Sequence, residues 1–467
     1  MDRALSLAAA FVLAGALVVP PAQGALPPRH GGVLTLPAAT AIGALDPARV
    51  ETPFEATLAA AVYDNLYEVR GDGRVEPVLA AGPPEIEGTT ARVQLREGVL
   101  MHTGGRPLQA RHIVRSLLRA NASPTASWLL GAFATEGGRP VIREVDARTI
   151  EFELARRGVR LDLVLAATPL AIVAGGDLRR QPLGTGSFQA RLDGRGGAQL
   201  RIFRHAVDRP PWINQVTFTP VRSRDEEIRA YELGRIDGSW HGRSLYGREP
   251  SRPATTIDTT AAAPWLLVPN RARSLRDSSA WGGVVSSVDR RRLARVGLVP
   301  RRTLSPGLPA PQLPTGAPRS GLTLTMPVRL DRPREVRCAE AIAGMLDERG
   351  VHLQVERLSP EGYRSALTRS QWDLRIARVR PPLPGRGAMA GAALAASGQL
   401  DRARVLVPML GNAEVANRTA RGLDAMVLGH ERIVLHHRAD VRHLRIDPLG
   451  RLTLGDAAFE RRAEPFR

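Results

Sequence analysis

Three arginines, Arg375, Arg378 and Arg380, stand close together in the run WDLRIARVRPPLPG (372–385). Read as a strand, the run alternates them onto one face. A guanidinium fork grips a carboxylate or a phosphate bidentately, so this face reads as an anion clamp or as a solvated basic surface. His430, His436, His437 and His443 also cluster, and imidazoles ligate metals. His436 and His437 would point to opposite faces of a strand, so no metal site is assigned there. Cys338 lies between apolar positions of an amphipathic stretch and reads as packed, not reactive. As the only cysteine it excludes a disulfide framework, a multi-cysteine zinc site and a dithiol motif. Gly184 and Gly186 read as a tight turn, since two glycines alone are a weak phosphate cradle. G-x-S-x-G, H-E-x-x-H and P-loop patterns are all absent. We therefore expect a protein that is not an enzyme, with no catalytic residues, no metal and no cofactor.

Composition narrows the setting. The chain has 467 residues, a net charge of +19, and no lysine, so every basic side chain counted is arginine. Its length allows roughly three domains at about 150 residues each. Aromatics are 4%, thin for a protein that stacks bases or sugars. An apolar run over 4–19 follows Arg3, and Ala22-Gln23-Gly24 offers a small-residue cleavage site. This pattern is a secretory signal peptide, too short for the about 20 residues of a spanning helix. The mature chain is therefore expected in the periplasm, away from nucleic acid, with anionic polymers or an acidic ligand as natural partners for its charge.

Several elements must position these residues. Val33, Leu34 and Leu36 mark a strand, and Phe54, Leu58, Val62 and Leu66 recur as on one helical face. Residues 92–95 alternate as a strand, and 109–120 carry Ile113, Val114, Leu117 and Leu118 on one face. Residues 141–154 read as two strands about Asp146-Ala147-Arg148. Strands over 200–203 and 216–221 precede a helix that Ser223 and Glu226 start as a capping box and Gly234 ends. Residues 322–355 read as strand, helix, strand, which favours a parallel pair. The Pro/Gly-rich stretch 300–321 should be an irregular surface connection, and 381–398 is weakly specified. Trp128 reads as a core residue. The whole is mixed α/β.

Ordered blocks then carry a resemblance. They are GGVLT (31–35), LDPA (45–48), VYDNLYEVRGDGRVEPVLA (62–80), LREGVLMHTGGRPLQARHIVRSLLRA (95–120), PLGTGSF (182–188) and ELGRIDG (232–238). AIAGMLDERGVHLQVE (341–356), QWDL (371–374) and RIDPLGRLTL (445–454) continue the series. Together they resemble the family 5 extracytoplasmic solute-binding proteins of ABC importers, the dipeptide-, oligopeptide- and nickel-binding group. The resemblance implies an α/β, two-lobed periplasmic-binding-protein (Venus flytrap) fold with mixed sheets and an extra sub-domain in the first lobe. It places a signal peptide at 1–24, lobe I at 25–262 with its sub-domain at about 50–181, lobe II at 263–432, and a C-terminal return to lobe I at 433–467. It turns the chain after the ELGRIDG block toward the cleft, so the ligand-binding candidates are Thr40, Trp240 (equally a packing residue) and His241, together with Arg378 and Arg380 of the anion clamp.

The chain departs from the family pattern at Met101, Thr103 and His112, where an aromatic and two Asp are usual. Val379 stands where the pocket tryptophan would fall, and the Asp-Pro after it is missing. The expected function is the periplasmic solute-binding component of an ABC-type importer. It would bind a peptide-like or other small solute, an anionic one included, between two lobes. As a monomer it would deliver that solute to the membrane subunits of an ABC permease. The alternative is a degenerate paralogue that binds an envelope partner and transports nothing.

Overall fold

The computed structural model describes residues 30–123, 125–207, 210–245 and 252–460. The signal peptide expected at 1–24 and the end of the C-terminal return, 461–467, lie outside the described residues. Strand β1 (Val33–Ala38) buries Leu34 and Leu36. Helix α1 (Pro53–Val62) starts with a capping box: Thr52 accepts from the Glu55 amide, Glu55 accepts from the Thr52 amide, and Pro53 fills a position that needs no N–H. The helix ends at Val62, so Leu66 is buried beyond it and does not continue its face.

Strand β2 (Thr90–Gln94), helix α2 (Ala110–Ala120), β3 (Ile142–Glu144) and β4 (Thr149–Glu153) follow. With the edge strand Glu85–Glu87 they make an antiparallel sheet in the order edge, β2, β4, β3, and α2 packs on β3 and β4. Ile150 and Phe152 alternate inward as expected. His112, where the resemblance expects Asp, accepts from the Gln109 amide through Nδ1 at 3.0 Å, so an imidazole takes the capping role of a carboxylate.

Strands β5 (Phe188–Leu192), β6 (Ala198–Ile202) and β7 (Gln215–Pro220) form a meander, and β1 joins β7 in parallel, giving the order β1-β7-β6-β5. Helix α3 (Arg224–Glu232) is capped by Ser223, which accepts from the Glu226 amide, and it stops at Gly234, whose φ is +69°.

Strand β8 (Ala254–Pro269) then leaves this region. Beyond it, β9 (Thr323–Arg329), α4 (Pro333–Asp347) and β10 (His352–Leu358) form the expected crossover unit with parallel strands. Strand β11 (Leu374–Arg378) pairs with β8, and helices α5 (Arg386–Ala396), α6 (Leu400–Leu406) and α7 (Ala413–Arg421) follow. Strand β12 (Met426–Arg438) returns antiparallel to β8 along most of its length. The register between them breaks at Thr260/Pro264 and again at Trp265/Leu266.

Three cores result. The β1-β7-β6-β5 sheet, α1 and the C-terminal residues Leu444, Leu452 and Leu454 share one. A second lies between β9, β10, α4 and the adjoining ends of β8 and β12, and it contains the fully buried Cys338. The third joins the β2–β4 sheet to α5, α6 and α7. The stretch 381–398 is thus well specified, since alanine is the best helix former and its small side chains let α5 approach closely. A Cβ at Gly391 would lie 2.6 Å from Cζ3 of Trp128, which is 2% exposed. The connection 300–321 is largely irregular, as expected, yet it sinks Leu304 and Leu308 into the same core.

Candidate functional site

The chain after α1 builds one wall of a cavity. Tyr63 donates its hydroxyl to Leu45 O at 2.7 Å and is buried. The Asp64 carboxylate accepts from Thr185 Oγ1 at 2.8 Å, and the Asp64 carbonyl accepts from the Ile172 amide. Asn65 donates through Nδ2 to Ala167 O and Leu165 O, and Tyr67 donates to Gly82 O. The turn 184–186 presses on the end of α1: a Cβ at Gly186 would sit 2.7 Å from the Val62 carbonyl carbon. Its glycines serve close packing, and the Gly186 amide donates to Val62 O.

Further lining comes from distant chain. Pro382, Leu383 and Pro384 descend from the strand end beyond β11, and the Thr168 amide donates to Pro382 O at 2.9 Å. Arg451 arrives from the C-terminal hairpin, donating through Nε to Asp447 at 2.6 Å and through Nη1 to Thr168 Oγ1 at 3.2 Å. These walls bound about 150 Å³ lined by Tyr63, Asp64, Asn65, Glu68, Thr168 and Arg451, among others. The volume is below the roughly 300–1,000 Å³ of drug-sized ligand pockets.

None of the five residues expected at a cleft is among those lining this cavity. Thr40 is exposed in the bend after β1. Trp240 packs on the first core and donates its indole N–H to Pro37 O at 3.1 Å. The buried Glu227 carboxylate accepts from the Trp240 and His241 amides and from Ser239 Oγ, and lies 3.0 Å from His241 Nδ1. Glu227 therefore anchors both residues to α3. Arg378 lies 2.8 Å from Glu335 and 4.5 Å over the Trp265 ring, a cation–π contact. Arg380 donates to Glu431 at 3.1 Å and, through Nε, to Glu51 O at 3.0 Å. Both arginines already hold internal carboxylates.

Arg375 corrects the expectation of a shared face. A separation of three residues is odd, so a strand turns Arg375 away from Arg378. Its neighbours Ala377 and Val379 enter the third core, whereas Leu374 and Ile376 enter the second. Arg375 accordingly reaches Ala396 O on α5 and covers Trp372. The histidines are also spread: the His430 ring pairs with Thr303 O, His436 with Thr256 Oγ1 and His437 with the Arg438 carbonyl. Among the described residues no group of three or more His, Cys, Asp or Glu could hold a metal ion.

The residues that sequence reasoning missed are Tyr63, Asp64, Asn65, Tyr67 and Glu68. They stand inside the VYDNLYE block, where two carboxylates and two tyrosines within six positions were the available signal. Arg451 and Pro382 offered none.

No family model and no curated protein matches this sequence. Solved structures do. NikA from Staphylococcus aureus, in complex with Ni(L-His)2, superposes with a TM-score of 0.73 at 15% identity, covering 92% of this chain and 100% of that one. A dipeptide binding protein from Pseudoalteromonas sp. SM9913, in complex with Met-Leu, gives 0.73 at 14% identity with 92% and 100% coverage. The ABC transporter-associated periplasmic binding protein DppA from Helicobacter pylori, in complex with the peptide STSA, gives 0.70 at 15% identity with 93% and 99% coverage. The fold is the two-lobed, mixed α/β fold of periplasmic binding proteins.

Proposed function

We propose that this chain is a family 5-type extracytoplasmic solute-binding protein, the non-enzymatic, monomeric binding component of an ABC importer. It holds a small solute between its two lobes and presents it to the membrane subunits of a permease. One observation carries the reading: residues Tyr63 to Glu68 and Pro382 to Pro384, from far apart in the chain, line one cavity, and we take the long paired strands β8 and β12 as the crossings between the lobes. The register breaks at Thr260/Pro264 and Trp265/Leu266 are natural flexing points, because a bulge leaves ladder groups unpaired and bends the strand. A solute touching both walls favours the closed arrangement by its differential affinity, which is the basis of hinge closure. Export fits the apolar N-terminal run, and no helix among the described residues is long and apolar enough to cross a membrane.

The test is native mass spectrometry of protein taken from its own periplasm, joined to an interlobe distance measurement. Spin labels are carried on the exposed positions Arg74→Cys and Arg357→Cys, since the native Cys338 is buried and out of a label's reach. A co-purifying solute, and a label distance that shortens when that solute is returned to stripped protein, is the expected result. A protein that carries nothing and keeps one distance in periplasmic extract would overturn it.

A further inference from the structure

We infer that His102 positions the wall of the solute cavity, and does so only as a neutral imidazole, so that protonating its ring loosens the wall and releases the solute. The inference rests on the solute-binding reading above and adds a means of control to it. His102 is 6% exposed, and both of its ring nitrogens are engaged. Nδ1 accepts from the Gly184 amide at 3.2 Å, and Nε2 lies 2.9 Å from Gly186 O. A backbone amide can only donate and a carbonyl can only accept, so the ring hydrogen sits on Nε2 and Nδ1 carries none. The imidazolium carries a hydrogen on both. Its Nδ1–H would confront the Gly184 N–H, leaving two buried donors without an acceptor, which is costly.

The turn that His102 grips is packed against the end of α1. A Cβ at Gly184 would lie 2.8 Å from Tyr63 Cδ1, and the Gly186 amide donates to Val62 O at 3.0 Å. Between these glycines the fully buried Thr185 donates to the Asp64 carboxylate at 2.8 Å. The next residue, Ser187, lines the cavity together with Tyr63 and Asp64. A displaced turn therefore moves Ser187 and gives up the bond that holds Asp64. The ring is also within reach of solvent, because His102 lines a surface groove of about 620 Å³ with Gly104, Gly105, Phe203, Arg204 and His205. The charged and titratable groups around it are Arg106 in its own loop, Arg204 and His205 in the groove, Arg201 opposite Gln189 on β6, and Asp64 beyond the turn. None of them bonds the imidazole. Burial pushes the His102 pKa below its ordinary 6.5, against a smaller opposing effect of the Gly186 carbonyl. Solute affinity should therefore be flat above pH 6.5 and fall as pH drops through the ring's own, lower pKa.

The mature full-length chain and its His102→Gln variant are compared from about pH 7.5 to about pH 4.5. Glutamine offers one acceptor and two donor hydrogens near the places of the ring nitrogens and does not titrate. The readouts are nitrogen NMR of the imidazole, hydrogen exchange over 182–188 corrected for its intrinsic pH dependence, and the interlobe label distance in periplasmic extract. The His102 ring should show the Nε2–H tautomer at the upper pH and take up a proton with a midpoint below 6.5. At that same midpoint wild-type 182–188 should lose protection by about ten-fold or more, and extract should cease to shorten the interlobe distance. His102→Gln should keep both properties throughout; His205 is unchanged in it, so a difference between the two proteins belongs to His102. The opposite tautomer, a ring that stays neutral throughout, or a variant that opens at the same pH as wild type would overturn the inference. If the variant does not fold, the shared midpoint of ring, turn and closure in wild type decides the matter. Extract that shortens the distance equally at every pH ends the inference and leaves the solute-binding reading standing. If extract shortens it at no pH, both fail.

Discussion

Glu431 is 7% exposed, yet three guanidiniums surround it: Arg334 at 2.8 Å, Arg380 at 3.1 Å, and Arg378 beside them. Burial works against its ionisation, but the attraction of Arg380, Arg334 and Arg378 outweighs it and holds the carboxyl at about 2, below its ordinary value of 4.5. The linkage has a definite sign. A depressed folded-state pKa contributes stability that is complete above about pH 4.5 and is lost as pH falls towards 2. Glu431→Gln should therefore cost about 3–5 kcal/mol in urea unfolding at pH 7, the penalty for stranding buried charge. That difference should shrink steadily between pH 4.5 and 2; a constant difference would show that the carboxylate's charge is not what matters. The sequence displayed Arg378 and Arg380 with the right spacing for one face. It could not display Glu335 and Glu431, which reach them from another helix and from the return strand. For the same reason Asp64 was visible as a residue but not as a cavity wall, because Pro382 and Arg451 meet it from far along the chain.

Helix α5 shows how tertiary contact overrides local preference. Gly391 is unfavourable in a helix by about 1 kcal/mol relative to alanine. On propensity alone, Gly391→Ala would stabilise the protein. The added methyl would meet the Trp128 ring at 2.6–2.8 Å, and that ring is fixed, its indole N–H donating to Thr125 O. Overpacking of this kind costs about 1–3 kcal/mol, so the net expectation is a lower Tm for Gly391→Ala. A raised Tm would mean that Trp128 yields easily. The periodic elements, such as α2, β4 and the β9–α4–β10 unit, were legible because each displays its own apolar face. Helix α5 was not, because a run of Ala and Gly has no contrasting polar side from which a period can be read.

Across the whole molecule, the two proposed lobes also meet through charge. Arg329 and Arg332, at the end of β9, both pair with Glu51 ahead of α1, and Arg380 donates to the Glu51 carbonyl. Partly exposed pairs are individually weak and screened by salt, whose Debye length falls from about 10 Å at 0.1 M to about 3 Å at 1 M. Glu51→Gln should release about 1 kcal/mol of closure energy, roughly a five-fold rise in the open-to-closed ratio. Small-angle scattering should show ligand-free wild type expanding as salt is raised, with Glu51→Gln already expanded at low salt. Identical curves for the two proteins would remove Glu51 from the closing contacts. The sequence by itself determined the mixed α/β class, the order of elements, the capped helix starts and the apolar N-terminal run, since these depend on neighbours in the chain. Only the tertiary structure decided which arginines are internally neutralised, which carboxylates face a cavity, and how small that cavity is. Those properties belong to pairs of residues brought together by folding, and chain position alone carries no record of the pairing.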